Sequence, residues 1–194
     1  MQTFLPYADF TQSVSCLDPK RLVKQVTEGN QILQTLTEGS RYEHHPAVLQ
    51  WKGYGRELGR YIQECLSRVE ALGYRTAKGR ANLTRFVAQV SEQTDIPPWL
   101  GNPEYHRTHR SRLLFKGRCD STCIQLKLFL RVRSINTWLK AQGYPEKAML
   151  EYADLLHLEQ YCRERFTLKV TNYYHQFNWS EPDNLEYFWP TRQK

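Results

Sequence analysis

Leu17-Asp18-Pro19-Lys20-Arg21-Leu22-Val23-Lys24-Gln25-Val26-Thr27-Glu28-Gly29-Asn30-Gln31-Ile32-Leu33 carries the periodicity on which the fold reading turns. Leu22, Val26, Gly29, Leu33 and Leu36 recur every three or four residues, which lines them up on one face of an α-helix. Asp18 is suited to cap that helix, and Pro19 to occupy its first position. Opposite the apolar stripe, Arg21, Lys24, Glu28 and Gln31 share a second face bearing two cations, one carboxylate and one amide. An ordinary surface helix needs no more than this, since Lys24 and Glu28 form an i,i+4 pair worth about 0.2–0.5 kcal/mol. Spacing alone therefore favours a solvated face, and a functional reading needs further support.

Outward from this segment the pattern stays helical, punctuated by loops. An extended stretch precedes it, ending near Cys16. A turn at Thr37–Ser40 leads to His44-His45-Pro46, and Pro46 opens a second long helix reaching about Leu72, with Gly73 as its stop. A third helix is predicted from about Ala77 into Val90. Three prolines within residues 97–103 force an irregular connection. A further helix starts near Glu104 and carries His106, His109 and Arg110. Residues 121–141 and 145–166 read as a helical hairpin across Ala141–Pro145, and an aromatic, loop-like tail begins at Asn172. The expected fold is all-α: a compact helical single domain over residues 1–194, with an irregular aromatic C-terminal tail.

The chain has 194 residues, 40% hydrophobic and 24% charged, which excludes global disorder. No apolar run approaches a membrane span, and Met1-Gln2-Thr3-Phe4-Leu5-Pro6 lacks the basic and apolar regions of a secretory signal. A cytoplasmic location, nucleoid-associated in a bacterium, and no membrane partner are the expectations. The formal net charge is +7, and it is local. Residues 107–140 hold nine basic side chains against Asp120 alone, whereas residues 1–106 are nearly balanced and residues 141–194 are slightly acidic. A basic stripe confined to one stretch suits a polyanionic partner, or equally a solvated helix face. The five cysteines are scattered, with no CxxC, and read as reduced structural thiols.

The first helix, with its Asp-Pro-Lys-Arg opening followed by Lys24 and Glu28, resembles the signature of the pyrimidine-dimer DNA glycosylase family, of the endonuclease V type named for ultraviolet repair. Three further blocks resemble its cellular branch: His44-His45-Pro46 with Trp51; Tyr105-His106-Arg107-Thr108-His109-Arg110-Ser111-Arg112-Leu113-Leu114-Phe115-Lys116; and Tyr173, Trp179 and Tyr187-Phe188-Trp189-Pro190. They lie in the family's order over about residues 1–116 and 172–190. Residues 117–171 do not fit the compact pattern and read as a helical insertion, which would extend a nucleic-acid surface or brace the fold.

The resemblance implies a bifunctional glycosylase and AP lyase that uses the chain's own N-terminal amine. An α-amine titrates near about 7.7–8.0, so part of it is neutral and nucleophilic at pH 7. It attacks the sugar C1′, displaces the base and leaves an imine; β-elimination then breaks the 3′ phosphate bond. Glu28 matches the family's catalytic Glu, which shuttles protons near that carbon. Gln2 is a poor context for Met removal, so Met1 is expected to stay and to supply the amine. The residues implied to hold double-stranded damaged DNA are Arg21, Lys24, Gln31, His44, His45, His106, His109, Arg110, Arg112 and Lys116. Bending or flipping of a nucleotide is expected, made cheaper by the damage itself. No cofactor, metal or obligatory protein partner is implied.

Other readings stay open. A non-catalytic DNA-binding relative would keep the basic block without a usable amine. A metal-dependent nuclease or hydrolase would use His44, His45, His106 and His109, although no HExxH motif accompanies them. Read as isolated residues, these histidines are structural, donating hydrogen bonds to a loop. Tyr173, Trp179 and Trp189 are either core or stacking faces for an extruded base.

Overall fold

The computed structural model describes residues 1–90, 95–166 and 171–190. Residues 167–170, part of the expected insertion, lie outside the described residues. The fold is all-α, and no strand ladder occurs among the described residues. No described helix is long and apolar enough to cross a membrane. The chain divides into two compact units, residues 1–109 with 187–194, and residues 110–186.

In the first unit, residues 1–6 form an extended segment without helical hydrogen bonds, followed by a short helix α1 (Phe10–Ser15) capped by Asp9. The sequence reading had this stretch extended throughout. Helix α2 (Pro19–Glu38) begins as expected, with the Asp18 side chain accepting from the Arg21 N–H and Pro19 in the first turn. Its buried face holds Leu22, Val26, Gly29 and Leu33, and also three polar residues, Gln25, Asn30 and Thr35. The single helix predicted from Pro46 to Leu72 is two: α3 (Pro46–Leu49) and α4 (Gly55–Ala71). The break is tertiary in origin. Gln50 and Trp51 turn their side chains inward onto Thr3, and Gly53 takes a left-handed φ of 85° that reverses the chain. Helix α5 spans Ala77–Val87.

Helix α2 packs on both α4 and α5. Glycines permit the close approach: a Cβ on Gly29 would lie 2.6 Å from Ile62 Cγ1, and one on Gly79 2.7 Å from Val26 Cγ1. Leu22, Ile32, Leu33, Leu58, Tyr61 and Ile62 are fully buried there. At about 1.5–3 kcal/mol for each large apolar side chain removed from water, this three-helix core is the main source of stability in the unit.

Helix α6 (Pro103–Leu130) is continuous through the point where a new helix was expected. Its residues to His109 belong to the first unit and the rest to the second. The stretch predicted as one helix over 121–141 is interrupted. Arg131 takes a left-handed φ of 52°, and Ser134 caps a separate helix α7 (Ile135–Ala141). A 3-10 turn at Lys147–Met149 precedes α8 (Tyr152–Arg165), which starts with a capping box of Glu151 and Asp154. Phe115, Cys119, Cys123 and Leu126 of α6 pack with Leu155, Leu158 and Cys162 of α8 in one apolar cluster. All five cysteines are buried free thiols. The tail forms a 3-10 helix at Tyr173–Phe177 and is irregular beyond it.

Candidate active site

A strand without neighbouring strands must find partners for its peptide groups among side chains, and residues 2–5 do so almost residue by residue. The Gln25 side chain acts as a surrogate strand, its Oε1 accepting from the Phe4 N–H at 2.7 Å and its Nε2 donating to the Gln2 carbonyl at 3.1 Å. The Tyr61 hydroxyl lies 2.9 Å from both the Phe4 carbonyl and Gln25 Oε1. Thr3 Oγ1 accepts from Gln50 Nε2 and from the Trp51 indole, each at 3.0 Å. Leu5 is held at both ends of its backbone: its N–H donates to His109 Nδ1 at 3.2 Å, and its carbonyl accepts from His106 Nδ1 at 2.7 Å.

These contacts deliver the first residues to Glu28. The Gln2 N–H donates to Glu28 Oε2 at 3.1 Å. One residue spans at most about 3.6 Å, so the Met1 amine lies within about 7 Å of that oxygen. Lys24 Nζ sits 3.5 Å from Glu28 Oε1, with the lysine side chain 63% exposed and the carboxylate 14% exposed. The two are therefore the solvent-facing and sheltered members of one pair. His45 belongs to the same neighbourhood. Burial lowers its pKa first, the positive chain terminus lowers it further, and Glu28 opposes both. Its Nδ1 accepts from the Ala47 N–H and so caps α3, and its ring meets the edge of Trp189 at 6.5 Å. Gln2 Oε1 is buried without a hydrogen-bond partner.

The other candidates are placed differently. Arg21 pairs with Asp18 at 2.7 Å, one turn back on α2. Gln31 is exposed and lines a cleft of about 500 Å³ with Thr27, Asn30, Gln34, Arg75 and Lys78, a lining that excludes Glu28. His44 is exposed and lies 3.4 Å from Glu43. His106 and His109 are buried, with His106 Nε2 accepting from the Gly101 N–H at 3.0 Å. That acceptor role leaves the proton on Nδ1, where it serves Leu5. Burial, helped by His106, lowers the His109 pKa to about 3, so its ring is neutral and free to accept. Both rings thus serve a loop-like backbone, His106 as donor and His109 as acceptor. No group of three or more His, Cys, Asp or Glu side chains that could hold a metal occurs among the described residues.

Arg110, Arg112 and Lys116 lie in the second unit. Arg110 is ion-paired to Glu181 at 2.6 Å, Arg112 stacks over Phe115, and Lys116 is half-buried. In the tail, Trp179 stacks on Tyr174 and Phe177 within its own aromatic cluster, and Tyr173 is 40% exposed. Trp189 packs beside Tyr187.

Sequence reasoning missed Gln25, Tyr61, Gln50 and Thr3. One signal was available, because Gln25 stands on the apolar stripe three residues after Leu22 and four before Gly29. An amide there has to find a buried partner. The pairing of Thr3 with residues 47 and 48 positions away had no local signal.

The model of the pyrimidine dimer DNA glycosylase family matches residues 1–82. No curated protein and no solved structure matches the chain. The matched stretch contains the buried first segment, Glu28, Gln25, His45 and Tyr61, which is the set that brings the chain's beginning to the α2 carboxylate. Over residues 1–82, fewer than half of its 194 residues, the chain is similar to the pyrimidine dimer DNA glycosylase family.

Proposed function

We propose that this protein is a DNA repair glycosylase and AP lyase acting on duplex DNA that carries pyrimidine dimers or abasic sites. The observation that supports the reading is the Gln2 N–H on Glu28 Oε2 at 3.1 Å, which keeps the terminal amine within about 7 Å of the sheltered carboxylate on the α2 polar face. The neutral amine attacks C1′, the glycosidic bond breaks, and the base leaves with the bonding pair and takes up a proton. Opening of the C1′–O4′ bond gives the imine. Glu28 then removes a C2′ proton, and the C3′–O3′ bond breaks with the 3′ phosphate as leaving group.

Lys24, exposed at the mouth of this pair, is the cation best situated to meet a phosphate. Arg21, His44 and His45 are neighbours in sequence or space that complete the DNA-facing candidates. His106 and His109 have their Nδ1 atoms committed to Leu5. That weakens both a direct DNA contact from these rings and the alternative of a histidine-dependent metal nuclease. The second unit supplies Arg112, Lys116 and the exposed Lys127, Arg131 and Arg133 as further phosphate contacts.

Borohydride reduction on abasic and on ultraviolet-irradiated duplex DNA tests the reading. The expected result is a covalent adduct mapping to the N-terminal peptide. Glu28→Gln, whose amide oxygen still accepts from the Gln2 N–H, is expected to slow strand cleavage by about 10²–10⁴-fold with DNA binding kept. Binding without any adduct would make the protein a non-catalytic relative, and cleavage abolished by a chelator would restore the metal reading.

A further inference from the structure

We propose that His106 and His109 are positioning residues for the reaction: by gripping both peptide groups of Leu5 they fix where the terminal amine stands relative to Glu28. The inference rests on the glycosylase and lyase reading above. One turn of α6 separates the two rings, and together they present one acceptor and one donor to a single backbone residue. His109 Nδ1 takes the Leu5 N–H, and His106 Nδ1 gives its proton to the Leu5 carbonyl. The donor role is itself fixed, because the Gly101 N–H occupies His106 Nε2. Leu5 is fully buried, so no water substitutes for either ring.

Ahead of Leu5, Phe4 and Gln2 are held through their backbone groups by Gln25, and Thr3 is held through its side chain by Gln50. The amine's position is therefore the sum of one anchor and a fixed number of extended residues. A nucleophile must come within about 3–3.5 Å of its carbon, and a misplacement of about 1 Å can lower the rate 10²-fold. A segment free to slide past Gln25 would lose that register. Histidine suits the task because one ring offers a donor and an acceptor, whereas an apolar residue would leave the Leu5 N–H or carbonyl buried and unpaired.

The two ring nitrogens separate the positioning role from simple bulk. The terminal atoms of asparagine reach the place of Nδ1, and those of glutamine the place of Nε2. His109→Asn and His106→Asn keep the bonds to Leu5; His109→Gln and His106→Gln lose them. Single-turnover borohydride trapping at saturating abasic duplex is the readout, with DNA affinity and helical content measured alongside. The Asn variants are expected within about threefold of wild type and the Gln variants at least about tenfold slower, at unchanged affinity. Equal trapping by Asn and Gln variants would overturn the positioning role.

Should a Gln variant fail to fold, exchange of the Leu5 amide in the wild-type protein decides instead. Protection like that of the central α2 amides is expected, and exchange at the rate of an open peptide would overturn the anchor. Failure of the wild-type protein to trap abasic DNA overturns the glycosylase reading, whereas trapping indifferent to the Asn/Gln choice overturns the positioning role alone.

Discussion

Acid should loosen the first unit through one buried ring. His109 has a folded-state pKa of about 3, against an ordinary value of 6.5, because burial disfavours the imidazolium and His106 adds to the effect. The unfolded chain therefore binds this proton first as pH falls. Stability from the neutral ring is complete above about pH 6.5 and is lost progressively toward pH 3. The slope approaches about 1.4 kcal/mol per pH unit, so that between pH 6 and pH 4 His109 alone costs about 2–3 kcal/mol. The comparison is wild type against His109→Asn, which keeps the acceptor for Leu5 but has no proton to take up. Urea titrations at pH 7, 6, 5 and 4 would follow the emission of Trp51 and Trp99, buried in this unit with ring centroids 4.9 Å apart. Carboxylates titrate alike in both proteins and cancel in the difference. The gap between the two unfolding free energies should shift by about 2–3 kcal/mol in favour of the variant as pH falls from 6 to 4. Parallel lines would refute the neutral, accepting ring and with it the directions assigned to the Leu5 hydrogen bonds.

Two further outcomes concern the second unit. Gly117→Ala should destabilise it by about 2–4 kcal/mol in chemical denaturation, because the new Cβ would sit 2.0 Å from Asn172 Oδ1. Asn172 bridges the Leu114 carbonyl and the Tyr174 N–H from a buried position. Helix propensity alone would instead stabilise by up to about 1 kcal/mol, so the sign of the change decides. Arg118→Leu should cost about 3 kcal/mol, since Glu159 is buried and receives both arms of the guanidinium, at 2.5 and 2.6 Å. Adding Glu159→Leu should recover much of the loss. A double variant no better than the single would show that the packing around Arg118, rather than the stranded charge, carries the effect.

What the sequence made legible is what local spacing encodes. The α2 stripe, its Asp18 cap and its polar face need only the 3.6-residue period, and the structure keeps the cap and buries Leu22, Val26, Gly29 and Leu33 of the stripe. The break at Gln50–Tyr54 was illegible, because it exists to turn Gln50 and Trp51 toward Thr3 at the far end of the unit's sequence. Arg131 was illegible too: a left-handed arginine is not announced by residue type, and the expected helix ran straight through it. The pairing of Glu28 with the beginning of the chain was available only through family resemblance. Nothing in the spacing of Arg21, Lys24, Glu28 and Gln31 distinguishes them from a solvated face, and Arg21 and Gln31 turned out to have other neighbours.

The basic block shows how far a charge count over a window can carry an argument. Among the described residues, four of its nine cations pair with carboxylates outside the window: Arg107 with Glu104, Arg110 with Glu181, Arg118 with Glu159 and Asp183, and Lys140 with Glu146. Its one acid, Asp120, is taken by Lys147 from beyond the other end. An ion-paired arginine tethered to a buried carboxylate is poorly placed to release counterions from DNA, because it would have to break a partly desolvated pair first. Within the block the cations that retain this capacity are the exposed ones: Arg107, Lys127, Arg131, Arg133 and Lys140. Binding to undamaged duplex should therefore weaken with salt more gently than nine phosphate contacts would require, with a log–log slope nearer about −4 than about −8. A slope near −8 would mean that DNA opens the internal ion pairs on binding, and the Arg118→Leu variant would then bind with a measurably shallower slope.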